Sequence, residues 1–145
     1  MKNDALHIVW SDTFSVGIKK IDIQHKKLLD ILNALNRANQ EILNEQKLRH
    51  LLWEKLEELN EYGAFHFMTE EKLMQEHLPE HSSMARHISQ HQQYWVTIND
   101  FKQRALNDEE RILALLANFL NSWWVEHILN TDVLMGKELN ARGVG

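Results

Sequence analysis

Along most of this chain apolar residues return every three or four positions, the period of an amphipathic helix. Four such stretches can be drawn. The first begins near Asp22, a favourable cap residue, and runs to about Leu43. It places Ile21, Leu28, Leu32 and Leu35 on one stripe, with His25 at the remaining stripe position. The second spans Glu45 to Glu76, with Leu52, Leu56, Leu59, Gly63, His66, Glu70 and Leu73 in line, and Pro79 just past its end to stop it. The third opens at Ser82 or Ser83 and carries Met84, His87, His91, Tyr94, Ile98, Phe101 and Ala105. After a polar break at Asn107 and Asp108, the fourth carries Leu113, Leu116, Leu120, Trp123 and His127 and ends between Asn130 and Lys137. Met1 to Lys20 has no clean period. With Trp10, Phe14 and Gly17 it reads as an extended arm laid against the core, and Gly143 to Gly145 reads as a frayed tail.

Short connections between amphipathic helices make sequential helices antiparallel neighbours. The expected fold is therefore all-α, an antiparallel up-down-up-down four-helix bundle with an extended N-terminal arm. Residues 1–145 are read as one domain, with the arm at 1–20, the bundle at 21–137 and the tail at 138–145.

Composition narrows the function classes. The five glycines and single proline leave little material for the turns of a many-stranded sheet. A formal net charge of -5 offers no basic footprint for nucleic acid. With no cysteine there is no disulfide, thiolate zinc site or cysteine-ligated iron–sulfur cluster. No apolar run is long enough to span a bilayer, and Met1 to Trp10 lacks the pattern of a signal peptide, so the expected location is cytoplasmic. No phosphate loop, nucleotide motif or catalytic triad is visible.

The chain has nine histidines, and their placement is the informative feature. Every helical stripe holds at least one: His25, His66, His87 with His91, and His127. Glu70 lies one turn after His66 on the same face. A single histidine on a helix stripe is more often a hydrogen-bonded core residue than a ligand. Four converging stripes with two i,i+4 pairs, His66/Glu70 and His87/His91, are a different matter. An unpaired carboxylate in a bundle core costs several kcal/mol, which a metal offsets. His77 and His81 share the same spacing, but Pro79 lies between them, so they read as surface residues, as do His7 and His50. Five histidines and a carboxylate exceed what one tetrahedral zinc needs, and two bridged ions fit better. A ferritin-like site would use Glu-x-x-His, which occurs nowhere in this chain.

At this point the residues resemble the hemerythrin family, in particular bacterial hemerythrins. The resemblance takes in Trp10, Phe14-Ser15-Val16-Gly17-Ile18 and Ile21-Asp22-Ile23-Gln24-His25-Lys26. It continues through His66-Phe67-Met68-Thr69-Glu70-Glu71-Lys72-Leu73-Met74, then His87 and His91 with Tyr94. It closes on Trp123-Trp124-Val125-Glu126-His127-Ile128 and Asp132. It implies a non-haem di-iron centre, oxo- or hydroxo-bridged. His87, His91 and His127 would hold one iron. His25 and His66 would hold the other, with an open position for dioxygen, and Glu70 and Asp132 would bridge. Asp132 is carried by the resemblance alone, because a step of five residues turns it off the His127 face of an α-helix. Glu71 points off the stripe and reads as solvated.

What the resemblance implies about function is reversible binding of dioxygen, for storage, transport or delivery, without catalysis beyond a peroxidase-like side activity. The alternatives are an oxygen or redox sensor module, or a di-iron enzyme acting on peroxide or nitric oxide. The chain ends soon after the fourth helix, which favours a free-standing protein over a sensor module. Two departures from the family pattern stand out. The step from Pro79 to His87 is about two residues longer than is common, which leaves His81 as a fallback ligand. Trp124 stands where leucine is frequent, and with Trp123 and Leu120 it is expected to line the oxygen pocket.

Overall fold

The computed structural model describes residues 7–40, 45–107 and 112–145. The predicted first-helix end at Leu43, the break residue Asp108 and the side chains of Leu52 and Leu113 lie outside the described residues. Four long helical stretches form the bundle: α1 (Lys19–Gln40), α2 (Glu45–His77), α3 (Met84–Leu106), and α4 (Ile112–Glu126). α4 runs on through a π-helical segment (His127–Asp132) into α5 (Val133–Asn140). Each helix packs on the next and α4 returns to α1, which is the expected up-down-up-down bundle. Among the described residues there is no strand.

The predicted stripes are buried with a few shifts in register. Ile21, Leu28, Leu32 and Leu35 of α1 are buried, as are Leu56 and Leu59 of α2 and Tyr94, Ile98 and Phe101 of α3. Towards the end of α2 the buried apolar residues are Phe67 and Met74 rather than Leu73. On α4 the buried indole is Trp124, while Trp123 is half-buried at the edge. The cause is that a 3.6-residue period drifts against any fixed three-four spacing, so one face continued far enough changes its occupants.

The helix ends also differ from expectation. α1 starts at Lys19, so Asp22 lies inside the first turn. Its carboxylate reaches back to accept the Val16 N–H at 2.8 Å and the Ser15 hydroxyl at 2.6 Å, tying the arm to the bundle. Asn33 holds the arm further out, accepting from the Ile8 N–H and donating to its carbonyl at 2.8 and 2.9 Å. Ser83 stands at the start of α3 without capping it, its hydroxyl donating instead to Glu138. The segment read as a frayed tail is folded. Val144 N–H bonds to Leu139 O and Gly143 N–H to Asn140 O, with Gly143 at φ +81°. That is a Schellman cap, and Val144 packs on the apolar cluster containing Leu139.

Two apolar clusters result. The larger includes Leu28, Leu59, Phe67, Tyr94, Leu120 and Trp124. The smaller joins Val16 and Ile18 of the arm to Ile21, Met74, Leu78, Met135 and Leu139. On α1, α2 and the α4–α5 stretch, the candidate ligands fall between residues of the two clusters. Gly136 permits the close approach of α5 to the arm, since a Cβ there would lie 1.8 Å from the Val16 carbonyl oxygen.

Candidate metal centre

The structure brings all seven predicted ligands together in the bundle interior, each buried. α1 supplies His25, α2 supplies His66 and Glu70, α3 supplies His87 and His91, and the π segment supplies His127 and Asp132. The π segment resolves the odd spacing of the last pair. Its i→i+5 bonding lengthens the turn, so a five-residue step returns Asp132 to the face of His127.

The donors fall into two groups. His25 Nε2 and His66 Nε2 lie 3.1 Å apart, and His91 Nε2 and His127 Nε2 lie 3.2 Å apart. Asp132 spans them: its Oδ2 is 2.9 Å from His25 Nε2, while its Oδ1 is 3.0 and 3.1 Å from His87 and His127 Nε2. Glu70 Oε1 lies 3.2 Å from His66, 3.4 Å from His91 and 3.7 Å from His87. Hence Glu70 converges with His25, His66 and Asp132 on one side and with His87, His91 and His127 on the other.

Hydrogen bonding does not account for this packing. Neither oxygen of Glu70 or Asp132 has a hydrogen-bond partner despite the short contacts, and His87 Nε2 has none either. Native proteins seldom leave so many buried polar atoms unsatisfied in one place. Imidazole lone pairs and carboxylate oxygens aimed at common points are what divalent metal ions require, so the residues present fit two such ions.

Without metal the site is an interior network of charge. Burial opposes ionisation of His66, but Glu70 and Asp132 outweigh it and push the imidazolium up to about 9. His87 is pushed up to about 10 against the same burial by the nearby carboxylates of Asp132 and Glu70. Burial and mutual repulsion oppose ionisation of Glu70, yet His66 and His87 hold it well below the usual carboxylate range. Burial likewise opposes charge on Asp132, and His127 foremost holds it low.

Three of the five outward nitrogens have partners that sequence reading did not find, while His25 Nδ1 and His87 Nδ1 have none. Gln24 Oε1 accepts from His66 Nδ1 at 2.7 Å, and Gln24 in turn donates to Thr69 at 3.2 Å. Gln90 Oε1 accepts from His127 Nδ1 at 3.0 Å and from Thr131 at 2.8 Å. Both glutamines immediately precede a ligand histidine but serve one on another helix. Glu71, read as solvated, instead lies 3.0 Å from His91 Nδ1. It sits one residue beyond Glu70, on the flank where α3 passes, so a position off the stripe still reaches a ligand on the neighbouring helix.

The remaining residues fall as follows. Trp124 is fully buried, stacks on Phe67 at 5.3 Å, lies 6.0 Å from the His66 ring, and donates to the Tyr94 hydroxyl at 3.3 Å. Trp123 stacks on His127 at 4.3 Å and lines a surface cavity of about 260 Å³ with Arg86, Gln90 and Asn130. Leu120 is buried in the larger apolar cluster. His77 at the end of α2 and His81 within the 78–83 turn are exposed, and His7 and His50 are exposed too. The turn leaves His81 outside the cluster while His87 and His91 enter it.

The comparisons with known proteins agree with this architecture. The family model described as hemerythrin HHE cation binding domain matches residues 16–139. The chain belongs to the hemerythrin family. A bacteriohemerythrin of Pseudomonas paraeruginosa is 31% identical over 126 residues, covering 87% of this chain and 77% of the relative. A bacteriohemerythrin of Clostridium acetobutylicum is 28% identical over 125 residues, covering 86% and 95%. Among solved structures, a hemerythrin with one leucine replaced by alanine superposes with a TM-score of 0.77 at 26% identity, covering 94% of this chain and 98% of that one. Wild-type hemerythrin, at 24% identity and the same TM-score, supports the fold. Membership in this family implies non-haem iron, and no helix among the described residues is long and apolar enough to cross a membrane.

Proposed function

We propose that this chain holds two iron ions and binds dioxygen reversibly, serving storage, transport or delivery rather than catalysis. The observation that carries the reading is the pair of histidine groups sharing Glu70 and spanned by the two oxygens of Asp132. His87, His91 and His127 would hold one iron, and His25 and His66 the other. The smaller set of histidines on that second side would leave room for an exogenous ligand, and two ferrous ions, giving one electron each, would supply the redox chemistry on which oxidative binding of dioxygen draws.

The chain's own residues do the rest. Gln24 and Gln90 fix the orientation of His66 and His127, and Glu71 meets the outward nitrogen of His91. Phe67 stacks on the His91 ring at 3.8 Å and, with Trp124 and Tyr94, keeps water from the interior. Trp124 beside His66 limits the space for a ligand to one of small size.

The test is to purify the protein from iron-supplied cells, count its metals, reduce it without air, and record visible spectra through cycles of oxygen addition and removal. Two irons per chain and an oxygen-dependent band that disappears on deoxygenation are the expected result. Two irons with immediate, irreversible oxidation would replace the carrier with a redox sensor or an enzyme. A single zinc, or no metal, would overturn the assignment.

A further inference from the structure

Three outward imidazole nitrogens in this site have partners, and those partners are not alike. His66 and His127 face the neutral amide oxygens of Gln24 and Gln90, whereas His91 faces a carboxylate oxygen of Glu71. A carboxylate on the far nitrogen of a metal-bound imidazole makes it a more basic donor, and an amide does so far less. The difference therefore falls on one side of the site, the group containing His87, His91 and His127.

Two features separate charge from simple positioning. Phe67 lies flat on His91, with ring centroids 3.8 Å apart and planes 14° from parallel. The imidazole plane is thus set by packing. Glu71 is also 30% exposed and borders an open groove of about 330 Å³ with Met68, Lys72 and Trp95. Glu71 thus has one edge open to the groove, whereas the neighbouring Glu70 is fully buried in the site.

We propose that Glu71 is a positioning residue that acts by charge: through His91 it strengthens the metal held by His87, His91 and His127 and biases that ion toward its higher oxidation state. This rests on the two-metal reading above. The asymmetry it creates sets the two ions apart in affinity and potential.

The test titrates the metal-free chain with Co2+, following its visible bands, for the native protein and for Glu71→Gln and Glu71→Ala. Glutamine keeps an acceptor oxygen but not the charge. The expected result is that one of two binding constants falls roughly 10–100-fold in both variants, while the other stays near its native value. In the iron-loaded protein Glu71→Gln raises the midpoint potential of one iron. Native-like binding by Glu71→Gln with loss in Glu71→Ala would overturn the proposal, leaving only a hydrogen bond. Equal loss in both constants, or no change in either variant, would overturn it too. A native chain that takes up fewer than two Co2+ overturns the two-metal reading itself, and this proposal with it.

Discussion

Replacing Trp124 by leucine probes the packing beside His66. The indole is fully buried, stacked on Phe67 and edge-on to Tyr94, and its N–H donates to the Tyr94 hydroxyl. Leucine leaves that hydroxyl buried without a donor, a cost of roughly 1–3 kcal/mol. It also removes the ring contacts with Phe67, Tyr94, Trp123 and His66, of which a well-placed aromatic pair is worth about 0.5–1.5 kcal/mol. Leucine recovers part of the lost volume, so the net destabilisation expected is roughly 2–4 kcal/mol. For a chain of this size that lowers the Tm by roughly 5–15 °C. Gly63 supplies an internal control. A Cβ there would lie 3.3 Å from the Trp124 ring, tighter than ordinary contact. Gly63→Ala should be near neutral in the native chain, where the helix-propensity gain is spent on that contact. In the Trp124→Leu background it should recover about 1 kcal/mol. Denaturant unfolding of the four proteins in the cycle, metal-free, measures this coupling. A loss below about 1 kcal/mol for Trp124→Leu, or strict additivity across the cycle, would refute the packing argument. In the iron-loaded protein the same substitution should change the rate of oxygen release or autoxidation with two irons retained, and unchanged rates would remove Trp124 from the oxygen pocket.

Other predictions follow from the same geometry. Glu70→Ala should reduce metal content from two ions per chain to one or none, measured by elemental analysis; retention of two would show that Glu70 is not shared. In the metal-free chain, His66 and His87 are raised to about 9 and 10. Their stabilisation is therefore fully present below about pH 6.5 and lost as pH rises through 9 to 10. Metal-free stability should fall across that window in pH-dependent unfolding, and loading at pH 7 should release about two protons per chain into weak buffer. Gly136→Ala should cost roughly 1–3 kcal/mol by forcing the Val16 carbonyl away from α5, seen as a lowered Tm and faster proteolysis of the arm; native stability would refute the close approach.

The helical period of the apolar residues determined the four-helix bundle, and the same period placed His25, His66, Glu70, His87, His91 and His127 on inward faces. Local spacing suffices there because side chains three or four residues apart share a helix face whatever the rest of the chain does. Asp132 was out of reach of that rule. Its five-residue step from His127 joins the site through π-helical bonding, a rare backbone state that local propensity does not announce. Which of Trp123 and Trp124 enters the core likewise depended on how far the period had drifted by that point in α4. Gln24, Glu71 and Gln90 serve histidines on other helices, so their roles follow from how the helices are rotated against one another. Even the tail needed tertiary contact, since the Schellman cap is reinforced by Val144 packing on the small cluster and by Asn140 donating to the Gly17 carbonyl. Periodicity along one helix is a property of sequence, whereas the pairing of atoms between helices is fixed only when the packed core sets their rotation and register.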